Sequence, residues 1–295
     1  MAHIRVAGAA APAAAHWPTG HDIAPALAVS AIVPARNEAL CIGTVVRGLR
    51  ALTSPNGQPL LHEVVVADNG STDGTGNIAR HAGARVVEVP QPGYGQACWA
   101  ASQASLGDVL LFVDGDGAAD PADAAILLAA LAAGADLAIG VRSRPDPGSM
   151  TCTQRFGNGL ACALMRLLWR MPVQDLGPYR AIRRDAFDAL DLRNRSFGWT
   201  VEMQVRAQVL GLRVEQRPVR WHARMAGQSK ISGTLRGVIG AGFGILTMIG
   251  RLWWRERRRA TAGVPRPRPA ARPVAPTHPT PSPLDPAPLA PSARR

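Results

Sequence analysis

Two apolar runs in this chain each stop abruptly at carboxylates and glycines. Residues 109–113 are Val, Leu, Leu, Phe and Val, and Asp114, Gly115, Asp116 and Gly117 follow. Residues 64–67 are three valines and an alanine, followed by Asp68, Asn69, Gly70, Ser71, Thr72, Asp73, Gly74 and Thr75. A short aliphatic run without polar alternation is how a strand reads when both its faces are covered, as in a parallel sheet. Such sheets bind ligands at the carboxyl edge, which is where these acids are delivered. Asp114 and Asp116 lie two apart with glycine between and after them. A loop that tight lets two oxygen ligands reach one hard cation, and that cation could bridge a diphosphate.

Plainer readings compete with this one. Strand ends carry Asp and Gly as ordinary turn residues. An EF-hand loop is excluded, because Ala118 and Ala119 stand where that loop wants a ligand and its bend glycine. The aspartate-nucleophile phosphatases also place Asp-x-Asp after an apolar strand, but with Thr or Val two residues on, where this chain has Ala118.

The alternation continues along the chain. Strand candidates at 29–33, 63–67, 85–89, 109–113 and 136–141 are spaced by helical patterns at 39–52, 73–82, 96–105 and 122–133. Strands separated by helices imply right-handed crossovers and a mostly parallel sheet. Pro34 and Pro90 mark strand ends. After Arg142 the pattern loosens, with helices expected at 154–169 and 201–210, strands near 179–182 and 213–219, and a polar loop at 222–232. Residues 1–27 are alanine-rich and broken by Pro12 and Pro18, so they read as a disordered leader and not a signal peptide. The organisation expected is that leader, one α/β domain over 28–232, an apolar and basic helix over 233–259, and a proline-rich disordered tail over 260–295.

The chain has a net charge of +12 and a pI near 11.2, which favours anionic partners. Nucleic acid is not expected, since aromatics are few and no nucleic-acid-binding signature occurs. Cys41, Cys98, Cys152 and Cys162 form no C-x-x-C and read as buried thiols in a reducing, cytoplasmic compartment. Lys230 is the only lysine among many arginines. The apolar run 238–250 is bounded by Arg236 and Arg251 and is shorter than the roughly 20 residues that cross a bilayer. With Trp253, Trp254, Arg255, Arg257, Arg258 and Arg259 it reads as a peripheral contact with an anionic membrane surface. Gly233, Gly237, Gly240 and Gly244 share one helical face, which suits close packing on the body of the protein or on a second copy in a homodimer. The alternative is a buried terminal helix with a solvated basic end.

Five segments, in order, resemble the family 2 glycosyltransferases of GT-A fold. They are Ile32 to Glu38, Asp68 to Thr75, Asp114 to Gly117, Asp175 to Arg180, and Arg224 to Lys230. The last two are similar to motifs of the branch that contains the dolichyl- and polyprenyl-phosphate sugar transferases. The resemblance implies a GT-A (Rossmann-like) α/β fold, a UDP- or GDP-sugar donor, a Mg²⁺ or Mn²⁺ ion, a polyprenyl-phosphate or other hydroxyl acceptor, and a place in cell-envelope synthesis. It implies that Pro34 and Arg36 belong to the nucleotide-sugar site and that Glu38 and Asp68 hold the nucleoside, which suits carboxylates that accept from base N–H and ribose hydroxyl groups. Asp114 is implied on the ribose side and Asp116 on the metal. A glutamine that often ligates two residues later is replaced by Ala118, leaving water or Asp120 to fill that place.

Gly93 and Gly95, at the start of a helix, are implied to approach the donor's phosphates, with a turn as their plain alternative. Asp175 is implied as a base, or as a support for Arg180 or the metal. Glu202 has a similar acceptor-side role or is an exposed helix carboxylate. Arg142, Arg224, Ser229 and Lys230 supply donors for phosphate. Asp73 reads more readily as a helix cap. The reaction implied is inverting transfer helped mostly by positioning and electrostatics. A nucleotidyltransferase and a non-catalytic nucleotide-sugar or lipid-phosphate binding protein are the rival readings. The first lacks its glycine-rich loop after strand one; the second is left open by Ala118.

Overall fold

The computed structural model describes residues 27–226 and 235–261. Seven strands form one sheet: β1 (Val29–Ala35), β2 (Glu63–Asp68), β3 (Arg85–Glu88), β4 (Val109–Phe112), β5 (Leu137–Pro145), β6 (Arg180–Arg183) and β7 (Val214–Trp221). Their order is β3-β2-β1-β4-β6-β5-β7. Pairing is parallel except at β6, which runs antiparallel to both β4 and β5. The mostly parallel α/β sheet expected from the sequence is therefore present, with one reversed strand between its halves.

Alternate residues of each strand enter opposite cores. Ala31, Val33, Val64, Val66, Val109 and Leu111 face α1 (Ile42–Arg50), α2 (Thr75–His81) and α4 (Ala124–Ala132). Ile32, Val65, Leu110 and Phe112 face α3 (Tyr94–Ala104), α6 (Arg184–Leu190) and α7 (Trp199–Leu210). There Phe112, Phe187 and Trp199 pack ring to ring at 5.9–6.2 Å. A third cluster joins α5 (Cys152–Trp169), α7 and α8 (Leu235–Thr261) through Ala161, Met165, Val201, Val205, Ile249 and Leu252.

Pro34 does not end β1, as its residue type suggested. The strand continues to Ala35, still paired with β2, while its pairing with β4 stops at Ile32 and Phe112. The last bond between the two strands is Val113 N–H to the Ile32 carbonyl at 3.0 Å. Beyond it β1 needs no donor on that side, so a residue without N–H costs nothing there. The parting of β1 and β4 opens the carboxyl edge at Asp114.

β7 runs on past a register shift in β5 and is fastened to the segment after β4. His222 N–H donates to the Ala118 carbonyl at 2.8 Å, and Trp221 bridges Ala119. Arg220 donates to Asp123 through Nε at 3.0 Å and Nη2 at 2.7 Å and pairs with Asp120 at 2.8 Å. These ties carry residues 223–226 over the ends of β1 and β4. All but the edges of the leader and tail, together with Ser229, Lys230 and Gly233, lie outside the described residues; Gly237 and Gly240 are described only as helical backbone, and the Arg259 side chain is not described. Among the described residues no helix is long and apolar enough to cross a membrane.

Candidate active site

The loops after β1 and β2 hold each other through short polar side chains. Asn37, in the left-handed region at φ 52°, accepts from Thr72 N–H at 2.8 Å, and its own N–H donates to Ser71 Oγ at 2.9 Å. Glu38 N–H donates to Thr75 Oγ1 at 2.8 Å, and Ala39 N–H to Asp73 Oδ2 at 3.0 Å. Asp73 also accepts from Thr75 N–H at the first turn of α2. That is the helix-start role its position suggested, although Gly74 is the residue at the cap position. Asp68 is buried and accepts from Ser71 N–H at 3.0 Å. Its other oxygen lies so close to Gly76 that a Cβ there would come within 2.5 Å. Pro34 is buried within β1, and Arg36 is exposed at its mouth.

Arg224 joins the two loops that the family resemblance places on the nucleoside and on the metal. Its Nη2 donates to Glu38 Oε1 at 2.6 Å, and its Nη1 pairs with Asp116 Oδ2 at 3.1 Å. Asp116 Oδ1 accepts from Ala118 N–H at 3.0 Å, which folds the loop back on itself. Gly117 takes φ 73°, and Met225 lies directly on it, so that a side chain there would meet the Met225 sulfur. Asp114 Oδ1 accepts from the Tyr94 hydroxyl at 3.1 Å. Burial pushes the Asp114 carboxyl up to about 7, and the neighbouring Asp116 charge adds to the rise. Tyr94 and Met225 were not found from sequence; the signal for Tyr94 was its place between the paired glycines Gly93 and Gly95.

Asp120 accepts from Ala122 N–H at 2.9 Å, starting the 3-10 turn Pro121–Asp123, and pairs with Arg220. Its side chain takes part in the β7 fastening. Asp175 is 3% exposed and engaged on both oxygens by Arg142: Nη2 to Oδ1 at 2.6 Å, Nε to Oδ2 at 2.9 Å, and the Arg142 N–H to Oδ2 at 2.8 Å. Burial pushes this carboxyl up, but Arg142 more than offsets it and holds Asp175 below the ordinary carboxylate range. A carboxylate so engaged is a poor proton acceptor. Arg180 is fully buried and donates to the Gly177 carbonyl at 2.6 Å, the Thr200 carbonyl at 2.9 Å and the Leu176 carbonyl. It ties the 176–177 loop to α7; the side chain that Asp175's carboxylate engages is that of Arg142.

Glu202 is buried, not an exposed helix carboxylate, and accepts from Arg193 N–H at 2.9 Å and Asn194 N–H at 2.7 Å. It thereby fixes a loop that presses on the two glycines. A Cβ on Gly93 would stand 2.2 Å from the Arg195 carbonyl oxygen, and one on Gly95 would stand 2.5 Å from that of Asn194. Gln96 N–H donates to the Arg195 carbonyl at 2.9 Å. The close approach that Gly93 and Gly95 permit includes one by the chain's own 194–195 backbone. Asn69, also missed, holds the preceding turn by donating to the Val89 and Gln91 carbonyls and accepting from Gly93 N–H at 2.9 Å.

The donor set suits a hard divalent cation. Asp114 and Asp116 offer carboxylate oxygens on one short loop, and Asp116 already faces a positive group. Among the described residues no three His, Cys, Asp or Glu side chains converge into a closed metal site. Asp116 and Asp114 are the residues that would hold such an ion, which would act as a Lewis acid toward a diphosphate.

Comparison with known proteins fits this geometry. Residues 30–191 match the family model described as glycosyl transferase family 2. The chain is 36% identical over 213 residues to an uncharacterized glycosyltransferase of Mycobacterium tuberculosis (strain ATCC 25618 / H37Rv), covering 72% of this chain and 93% of the relative. It is 34% identical over 203 residues to glycosyltransferase AglJ of Haloferax volcanii, covering 68% of this chain and 65% of that protein. Among solved structures it resembles glucosyl-3-phosphoglycerate synthase from Mycobacterium tuberculosis in complex with Mn²⁺, UDP-glucose and phosphoglyceric acid. The TM-score is 0.62 at 25% identity, over 77% of this chain and 80% of that one. The matched span contains the Glu38 loop, the β2 acid, the Asp114 and Asp116 pair and the Asp175 segment, and the chain belongs to glycosyl transferase family 2, the enzymes that transfer sugars.

Proposed function

We propose that this enzyme moves a hexosyl group from a UDP- or GDP-sugar to the phosphate of a polyprenyl-phosphate carrier, with inversion, at the cytoplasmic face of a membrane. The observation that carries the reading is the Arg224 bridge, which spans Glu38 at 2.6 Å and Asp116 at 3.1 Å. It brings the carboxylate suited to a nucleoside and the carboxylate suited to a metal to one cation at one sheet edge. A Mg²⁺ or Mn²⁺ ion held by Asp116, with Asp114 beside it, would offset the charge that develops on the departing diphosphate. Arg224 then has a diphosphate to receive, and Ser229 and Lys230 follow it in sequence as further donors.

The state of Asp175 supports the acceptor. A hydroxyl acceptor calls for a base to take its proton, whereas an ionised phosphate does not. With both oxygens engaged and its carboxyl held low, Asp175 fits a site that positions Arg142 toward an acceptor already charged. The test is nucleoside-diphosphate release from UDP- and GDP-sugars with Mn²⁺, comparing polyprenyl phosphate, 3-phosphoglycerate and no acceptor. Stimulation by the lipid phosphate alone is the expected result. Stimulation by 3-phosphoglycerate alone would move the acceptor to the class named for the solved relative, and no release from either donor would remove the proposed donor class.

A further inference from the structure

Among the described residues, eleven large apolar side chains are exposed, and six of them sit on two neighbouring helices, α5 and α8. On α5 they are Phe156 at 72%, Leu160 and Leu167 at 74% exposure. On α8 they are Phe243 at 72%, Leu246 and Trp254 at 53%. Each set follows helical spacing. Phe156, Leu160, Ala163 and Leu167 recur at three- and four-residue steps, as do Leu246, Gly250 and Trp254 after Phe243. Both helices already bury another face in their shared cluster, through Ala161, Cys162 and Met165 on one and Ile249 and Leu252 on the other. The exposed residues are therefore a second apolar face. A Cβ added at Gly157, Gly159, Gly244 or Gly250 would meet nothing within 4 Å.

The rim of these faces has one sign of charge. Arg155, Arg166 and Arg170 are exposed along and after α5, and Arg251, Arg257 and Arg258 along α8, against a single acid, Glu256, on either helix. Arg257 and Arg258 stack on Trp253 and Trp254 at 4.4 and 3.5 Å from the ring centroids. Pairing this face with itself in a two-fold dimer would set arginines against arginines. An anionic bilayer supplies both what the apolar residues lack and the charge the arginines want.

We infer that α5 and α8 together form a docking face for an anionic lipid surface, with Phe156, Leu160 and Leu167 of α5 entering the interface beside α8. The opposite face of α5 meets the acceptor side of the site. Asn158, on the same helix, accepts from Leu176 N–H at 3.0 Å and lies 3.5 Å from Arg142 Nη2. Asn158 stands about 200° around α5 from Phe156 and from Leu160, so the helix lies between the Arg142–Asp175 pair and the proposed docking face. The inference extends the lipid-acceptor reading without depending on it, because vesicle binding and transfer are measured separately.

The experiment is sedimentation of the full-length protein with phosphatidylcholine vesicles, with or without phosphatidylglycerol, at low and high salt. Wild type is compared with Phe156→Ser/Leu167→Ser and with Arg257→Gln/Arg258→Gln. Binding is expected to need the anionic lipid, to fall with salt, and to drop about tenfold or more in the α5 variant. Circular dichroism and nucleotide thermal shifts should match wild type in both variants, since the altered side chains are exposed. Equal binding by wild type and the α5 variant would overturn the inference, as would no binding to anionic vesicles. A dimer in light scattering that the α5 variant abolishes would assign the face to a second copy instead. Transfer to lipid phosphate plays no part in this readout, so its failure would count against the acceptor alone.

Discussion

Arg224 has two acid partners, and each of them has a different expected task, so single substitutions separate the tasks. Asp116→Asn keeps the loop's shape, because Oδ1 can still accept from Ala118 N–H, but it removes the charge that would hold a divalent ion. Turnover should fall by about 10²-fold or more, in line with losing one preorganised electrostatic partner of a developing charge. The melting temperature should stay within a few degrees, since a recessed loop carboxylate packs little apolar surface. Unchanged turnover in excess chelator would end the metal role. Glu38→Gln, by contrast, should weaken donor binding more than it lowers the turnover number, because its expected contact is with the nucleoside and not with the breaking bond. A fall in turnover number at unchanged donor KM would reverse that assignment.

At the scale of elements, the β3–α3 turn and the 192–196 loop behave as one part. Asn69 holds the turn from below, Gly93 and Gly95 receive the Arg195 and Asn194 carbonyls respectively from above, and Glu202 fixes the loop through the N–H groups of Arg193 and Asn194. Gly95→Ala should therefore destabilise the protein by about 1–3 kcal/mol through overpacking against backbone that cannot yield, read as a shift of the urea midpoint. A neutral Gly95→Ala would show that the loop gives way. The strands were legible in the sequence because a strand covered on both faces needs an unbroken aliphatic run, and the acids at 114 and 116 were legible because they end one. The partners of the glycines were not legible, since the 194–195 carbonyls lie about a hundred residues away and any residue type supplies a carbonyl. α6 was missed because seven residues reading Arg, Asp, Ala, Phe, Asp, Ala and Leu show barely two turns of pattern. The reversal of β6 is set by how β4, β5 and β6 pair, and direction leaves no mark in the composition of a four-residue strand.

For the molecule as a whole, a buried carboxylate and a partly buried one fasten the two edges of the sheet, and this predicts how stability depends on pH. At the carboxyl edge Asp175 is closed by Arg142, as described. At the amino edge Glu63 accepts from the Ser30 hydroxyl and Leu106 N–H, both at 2.7 Å, and from Arg85. Burial pushes the Glu63 carboxyl up, and these donors together hold it below its ordinary value. Both groups thus bind protons more weakly folded than unfolded. The stability each provides is complete above its unfolded pKa of about 4 and is lost as pH falls through the folded value. Asp175→Asn leaves the recessed Arg142 without its counter-charge, so it should cost about 3–5 kcal/mol near neutral pH. Glu63→Gln should cost less, because Arg85 is more exposed and water screens that pair. Urea titrations of wild type and Asp175→Asn at pH 7, 5 and 3 test the sign. Their difference should be the same at pH 7 and 5 and should shrink at pH 3, below the unfolded pKa, where the unfolded wild-type chain binds a proton that the folded Asp175 resists. A difference that stays constant down to pH 3 would show that Asp175 acts through shape and hydrogen bonding alone, and that its charge contributes nothing to holding the carboxyl edge together.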